Sequence, residues 1–125
     1  MTEDVFDPSI WEEGTFDETT CTLVTGKYGF DGWKYPGGLD LSGYRRLTVE
    51  LGNDNECGVS FRLFDKNDYW TKPATYDFGQ TRRVVVDLQQ MKDTDGNRVD
   101  PSHLYIVGFW STGGKPIVIS SMKLE

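Results

Sequence analysis

Short segments in which apolar and polar residues alternate with period 2, each closed by a cluster of turn-forming residues, leave this chain few folds to choose from. Four stand out: RLTVEL at 46–51, GVSFRLF at 58–64, RRVVVDL at 82–88 and PIVISSMKL at 116–124. CTLVTG at 21–26 and LYIVGFW at 104–110 are read as strands as well. Between them lie GNDNECG, FDKNDYW, DTDGNRVDP and STGGKP, rich in Gly, Asn, Asp and Pro. No long stretch keeps helical spacing, so nothing supplies the crossovers that parallel strands need. The expected fold is all-β: an antiparallel β-sandwich of two facing sheets. A chain of 125 residues makes one domain, 1–125, large enough to bury a core without an obligatory metal or disulfide. No internal repeat or low-complexity tract divides it, and the acidic start up to about Asp7 reads as a frayed end.

Parity assigns the faces, because successive side chains on a strand point opposite ways. Val59, Phe61 and Leu63 form one core set, with Leu47, Val49 and Leu51 and then Val84, Val86 and Leu88 as the others. Ser60, Arg62 and Phe64 fall on the opposite face of their strand, and Glu50, Arg83 and Asp87 point outward. In LYIVGFW, Tyr105, Val107 and Phe109 are assigned inward and Trp110 outward, beside Gly108, which is expected to leave room for a ligand. The opposite parity, with Leu104, Ile106 and Trp110 inside, stays open.

The stretch YGFDGWKYPGG sets four rings, Tyr28, Phe30, Trp33 and Tyr35, among glycines and a proline. Glycine and proline on a strand mark an edge, a sharp path or the close approach of another molecule. Trp33 and Tyr35 share a strand face and are read as a pair of displayed platforms, with a place in the core as the alternative. NDYWTKP puts Tyr69 and Trp70 in a polar loop, where an aromatic ring points to binding, although Trp70 folded back as a lid is the competing reading. Arg62 lies mid-strand on a non-core face with a planar fork of donors, unless a salt bridge with Glu50 or Asp87 occupies it. The ligand-binding candidates are therefore Trp33, Tyr35, Trp70, Trp110, Tyr69, Arg62 and Tyr28. Asn67, Asp68, Lys72 and Gln80 are polar neighbours able to add hydrogen bonds.

Charge narrows the partners. Asp and Glu number 20 against 13 Lys and Arg, and the net charge of −7 argues against nucleic acid, anionic lipid surfaces and acidic polysaccharides. The longest nearly unbroken apolar run, Leu104 to Trp110, is far short of the roughly 20 residues of a membrane helix, so the chain is expected to be soluble. The opening MTEDVFDPSI lacks the apolar stretch of a signal peptide. Cys21 and Cys57 form one disulfide or stay two buried thiols. DTDGNRVD departs from a calcium-binding EF-hand loop, because Gly96 stands fourth from Asp93 rather than sixth, and reads as a polar turn. His103, the sole histidine, has no partner motif for zinc or nucleophilic chemistry and is read as structural.

The runs GGLDLSGYRRLTVEL, CGVSFRLFD, RRVVVDLQQM, HLYIVGFWS and IVISSMKLE together resemble the jelly-roll carbohydrate-binding modules appended to bacterial plant-cell-wall hydrolases. The turn from Leu39 to Tyr44 is the most specific part of the likeness. The resemblance implies a galactose-binding-like jelly roll that does no chemistry. It implies binding of neutral β-glucan or hemicellulose, as β-1,4 or mixed-linkage glucan, glucomannan or xyloglucan. Such a module works as a monomer within a larger secreted or cell-surface glycoside hydrolase. Many of these modules hold a structural calcium through an acidic residue in the last strand; Ser120 and Ser121 stand there instead, which argues against calcium at that place, and no cofactor is expected. Two alternatives from other classes are an adhesion or spacer domain that binds protein and a small jelly-roll glycoside hydrolase. The hydrolase needs two carboxyl groups roughly 5 to 9 Å apart, whereas the strands offer only scattered acids such as Glu50 and Asp87.

Overall fold

The computed structural model describes residues 6, 14–17, 19–26, 28–52, 58–111 and 116–125. Nine strands follow in order: β1 (Gly14–Asp17), β2 (Thr22–Thr25), β3 (Phe30–Leu39), β4 (Arg46–Leu51), β5 (Ser60–Phe64), β6 (Ala74–Asp77), β7 (Arg83–Asp87), β8 (Leu104–Trp110) and β9 (Pro116–Leu124). No α-helix occurs among the described residues. The strands form a five-stranded sheet ordered β1-β2-β9-β4-β7 and a four-stranded sheet ordered β3-β8-β5-β6, all paired antiparallel. The protein is all-β, with two antiparallel sheets in a sandwich-like architecture.

β4 and β9 coincide with RLTVEL and PIVISSMKL, and β2, β5, β7 and β8 lie within the other expected segments. β1, β3 and β6 complete the sheets. The longest of them, β3, carries Gly32, Pro36, Gly37 and Gly38, and its ladder with β8 is irregular between Lys34 and Leu39. Proline has no N–H to give a ladder, so such a strand belongs at a sheet edge.

One hydrophobic cluster draws on both sheets. Leu23, Leu47, Val49, Val86, Ile119 and Met122 come from one, and Trp33, Phe61, Leu63, Val107 and Phe109 from the other. The parity sets on β4, β5 and β7 are buried as assigned. Phe109 anchors the aromatic part, with ring centroids 5.2 Å from Phe61, 6.3 Å from Phe78 and 6.4 Å from Trp33. Phe6, within the stretch expected to fray, is 2 % exposed and packs on Trp33 at 5.4 Å. The rest of that start, residues 1–5 and 7, lies outside the described residues.

Several sequence expectations need correcting here. Trp33 is not displayed: it is 1 % exposed, enclosed by Phe6, Phe16 and Phe109. Tyr35, on the same face of β3, is half-buried and packs against the same core. The physical reason is the direction of β3, which turns Asp31, Trp33 and Tyr35 inward and Phe30, Gly32 and Lys34 outward. On β8, Val107 and Phe109 point into the core as assigned, but Tyr105 packs on a separate cluster outside it. Residues 93–100 form a polar turn in which the Asp93 carboxylate accepts from the backbone N–H groups of Asp95 at 2.8 Å and Asn97 at 3.0 Å. Cys21 is buried, whereas Cys57, and with it any bridge between the two, lies outside the described residues.

Candidate functional site

The register of the four-stranded sheet lays out its outer face as a grid. One row reads Phe30, Trp110, Ser60, Asp77; the next reads Gly32, Gly108, Arg62, Thr75; a third reads Lys34, Ile106, Phe64. This face carries an apolar cluster of its own, Phe30, Phe64 and Ile106, with Tyr105 and Trp110 packed against it. Phe30 and Phe64 meet edge-on with centroids 5.8 Å apart. The glycine pair lets Phe30 lie low across the sheet, because a Cβ on Gly108 would stand 2.8 Å from Gly32 Cα and 3.0 Å from the Phe30 ring. The space beside Gly108 is thus taken by Phe30 and the β3 backbone, contrary to the expectation that it is left for a ligand.

Loops raise the walls above this floor. Tyr69 meets Phe64 edge-on at 6.5 Å. Trp70 follows at 94 % exposure, yet its backbone is tied down: its N–H donates to Asp68 Oδ1 at 2.9 Å, and Thr71 Oγ1 donates to Asp68 O at 2.6 Å. Lys72 Nζ, 2.9 Å from Asp95, fastens this loop to the turn between β7 and β8. Tyr28, 67 % exposed, sits before Gly29, whose carbonyl accepts from Ser111 N–H at 2.8 Å just past β8. Tyr28, Phe30, Arg62, Phe64, Tyr69, Trp70 and Trp110 line an open pocket of ≈ 460 Å³, within the range of ligand sites.

Arg62 is the single charged side chain among the described residues of that lining. Its guanidinium carbon lies 4.9 Å from the Trp110 ring centroid, and its Nε donates to Ser60 Oγ at 3.0 Å. Burial pulls its pKa below the usual value, with Asp77 on the neighbouring strand pushing back. The salt bridges considered for it do not form. Glu50 faces Arg83 at 3.5 Å on the other sheet, where Asp87 also lies.

Of the seven expected binding residues, Tyr28, Arg62, Tyr69, Trp70 and Trp110 come together here, whereas Trp33 and Tyr35 lie on the inner face. Phe30 and Phe64 were missed as members. For Phe64 a signal existed, since parity puts this large apolar ring beside Arg62 on the face away from the core.

Elsewhere the described residues offer less. No three His, Cys, Asp or Glu side chains among them gather as metal ligands. Ser121 stands opposite Glu50 in the β4–β9 ladder, and Ser120 is exposed. A second pocket of ≈ 450 Å³, lined by Arg45, Arg46, Asp87, Gln89 and Gln90, has no aromatic ring. Asp31 is the unusual acid: it is 1 % exposed and neither carboxylate oxygen has a hydrogen-bond partner. Burial pushes its pKa up to about 7, and the neighbouring Gly32 N–H, which makes no well-formed bond to it, offsets only part of this.

Fold and pocket together define an all-β protein that presents an open aromatic pocket on the outer face of one sheet. The chain matches no protein-family model, and no curated protein or solved structure gives a significant match.

Proposed function

We propose that the protein is a non-catalytic carbohydrate-binding module that takes neutral β-glucan or hemicellulose chains in the aromatic pocket and so directs an attached, secreted glycoside hydrolase to plant cell walls. One observation carries this reading: six aromatic rings, Tyr28, Phe30, Phe64, Tyr69, Trp70 and Trp110, converge with a planar guanidinium outside the core. The axial C–H groups of a β-linked pyranose form an apolar, slightly positive face that lies well on an indole or phenol ring. Equatorial hydroxyls then meet the fork of Arg62 and the tyrosine hydroxyls. Among the described residues the lining holds no carboxylate, whereas glycosidic hydrolysis calls for two.

The fold supports the reading too. Leaving β1 aside, the strands pair as β2 with β9, β3 with β8, β4 with β7 and β5 with β6. That nesting is what a long antiparallel ribbon gives when wound into the eight strands of a jelly roll. Its two sheets are then β2-β9-β4-β7 and β3-β8-β5-β6.

Affinity gel electrophoresis tests the proposal with mixed-linkage glucan, xyloglucan, galactomannan, xylan and pectin in the gel, and reducing-sugar release is measured on the same polysaccharides. Retardation by a neutral β-glucan or hemicellulose without hydrolysis is expected. Affinities should be on the order of micromolar to millimolar, since an open site buries only part of each sugar. Free migration through every polysaccharide, or hydrolysis of any of them, overturns it.

A further inference from the structure

From the isolation of Arg62 we infer that the pocket's preferred unit is a sugar bearing a carboxylate, carried as a sparse acidic branch on an otherwise neutral chain, with the guanidinium edge as its receptor. This rests on the glycan-binding reading and names the group the site selects.

The argument begins with what Arg62 lacks. A cation drawn partly out of water is normally paired with an anion, because desolvation is unfavourable unless a counter-charge compensates. Arg62 forms no ion pair with any described residue, and its one hydrogen bond runs from Nε to the neutral Ser60 hydroxyl. Its guanidinium carbon lies over the Trp110 ring, 4.9 Å from the centroid, and with only Nε spent on Ser60 the Nη donors remain for a ligand. An edge of that shape matches a carboxylate through two parallel N–H···O bonds, a match no single hydroxyl makes.

The surroundings favour the same ligand. Among the described residues no acid lines the pocket. Asp77, one strand away in the row of Ser60, acts on Arg62 through its field without bonding to it. The protein as a whole carries −7, however, and repels polyanions. A local cation inside an acidic molecule therefore selects an isolated acid group and rejects a densely charged polymer.

The test uses a matched pair of ligands: a xylo-oligosaccharide branched with glucuronic acid, and the same compound after its carboxyl is reduced to the alcohol. Titration calorimetry at low salt should show the acid form binding about tenfold tighter or more, with the difference shrinking as salt rises. Arg62→Gln should lose the preference and bind both forms alike, because the group that tells the carboxylate from the alcohol is gone. Arg62→Lys, which keeps the charge and loses the fork, should fall between. Equal affinity of the wild-type protein for the two forms overturns this inference and leaves the glycan reading standing. A preference that survives in Arg62→Gln overturns the assignment to Arg62. Failure to bind either form or any neutral polysaccharide removes both readings together.

Discussion

Phe30 and Trp33 share one strand yet serve opposite sides of it: Phe30 meets Phe64 edge-on at 5.8 Å on the outer face, while Trp33 meets Phe109 at 6.4 Å in the core. β3 thus joins the packing of the molecule to the floor of its pocket. Substitutions only a few residues apart should separate stability from binding.

Trp33→Ala removes a ring that is 1 % exposed and enclosed by three other aromatics. Truncating a buried tryptophan costs about 3–5 kcal/mol, which in a domain of this size lowers the Tm by roughly 10 °C or more. Thermal denaturation checks it. The fraction that stays folded should bind glycan as the wild type does, and an unshifted Tm would remove Trp33 from the core.

Trp70→Ala should do the reverse. At 94 % exposure this ring contributes little to the fold, so stability should stay within about 0.5 kcal/mol of wild type. If a sugar lies on the indole, binding weakens by about 1–3 kcal/mol through lost apolar contact and stacking. Trp110→Ala should weaken binding as much and also cost some stability, because that ring is half-buried on the Phe30–Phe64 cluster. Calorimetric titration beside a thermal melt reads both quantities. Unchanged affinity in both variants would move the site elsewhere.

Gly108→Ala tests the floor. The added methyl meets the backbone of Asp31 and Gly32 and the edge of Phe30. Backbone cannot swing aside, so an overpacking cost of about 1–3 kcal/mol is expected, with weaker binding as Phe30 is displaced. Gly37→Ala, on the same partner strand, is the control: nothing lies within 4 Å of its Cβ position. Denaturant midpoints for the pair should differ clearly.

Strands announced by alternation were legible because one face is buried and the other wet, as in Val59, Phe61 and Leu63 against Ser60 and Arg62. β3 was not, because FDGWKYPGG breaks that pattern with three glycines and a proline. Its faces were read backwards for a related reason. Trp33 and Tyr35 were read as displayed because glycines and a proline flank them, whereas those residues mark a sheet edge; Asp31, which shares the parity of both rings, gives no local sign of an inner face. The acid is in fact enclosed with them. Tyr28, Tyr69, Trp70 and Trp110 could be singled out one by one as rings in polar or glycine-rich settings. That they meet around Arg62 depends on loops joining residues far apart in sequence, which no local pattern encodes.

Asp31 sets the pH dependence. Its carboxyl, with a pKa raised by burial to about 7 in the folded state from the ordinary 3.8, keeps its proton in the folded protein where the unfolded chain has lost it. The folded state then binds more protons between about pH 4 and pH 7, so stability falls as pH rises through that window. The contribution is full below the unfolded value and is lost once the pH passes about 7, a swing on the order of a few kcal/mol. Asp40 and Asp100 act with the opposite sign. Hydrogen bonds from Ser42 and Ser102 hold them below the ordinary carboxylate value, so their contribution is present above about pH 4 and lost in stronger acid. Asp31→Asn keeps the size of the side chain and cannot ionise. Urea denaturation from pH 4 to pH 8 should show the wild type losing stability across the window, with Asp31→Asn nearly flat there and the more stable of the two at pH 8. The same slope in both proteins would mean that another group titrates and that Asp31 is ionised, and compensated, in the folded state.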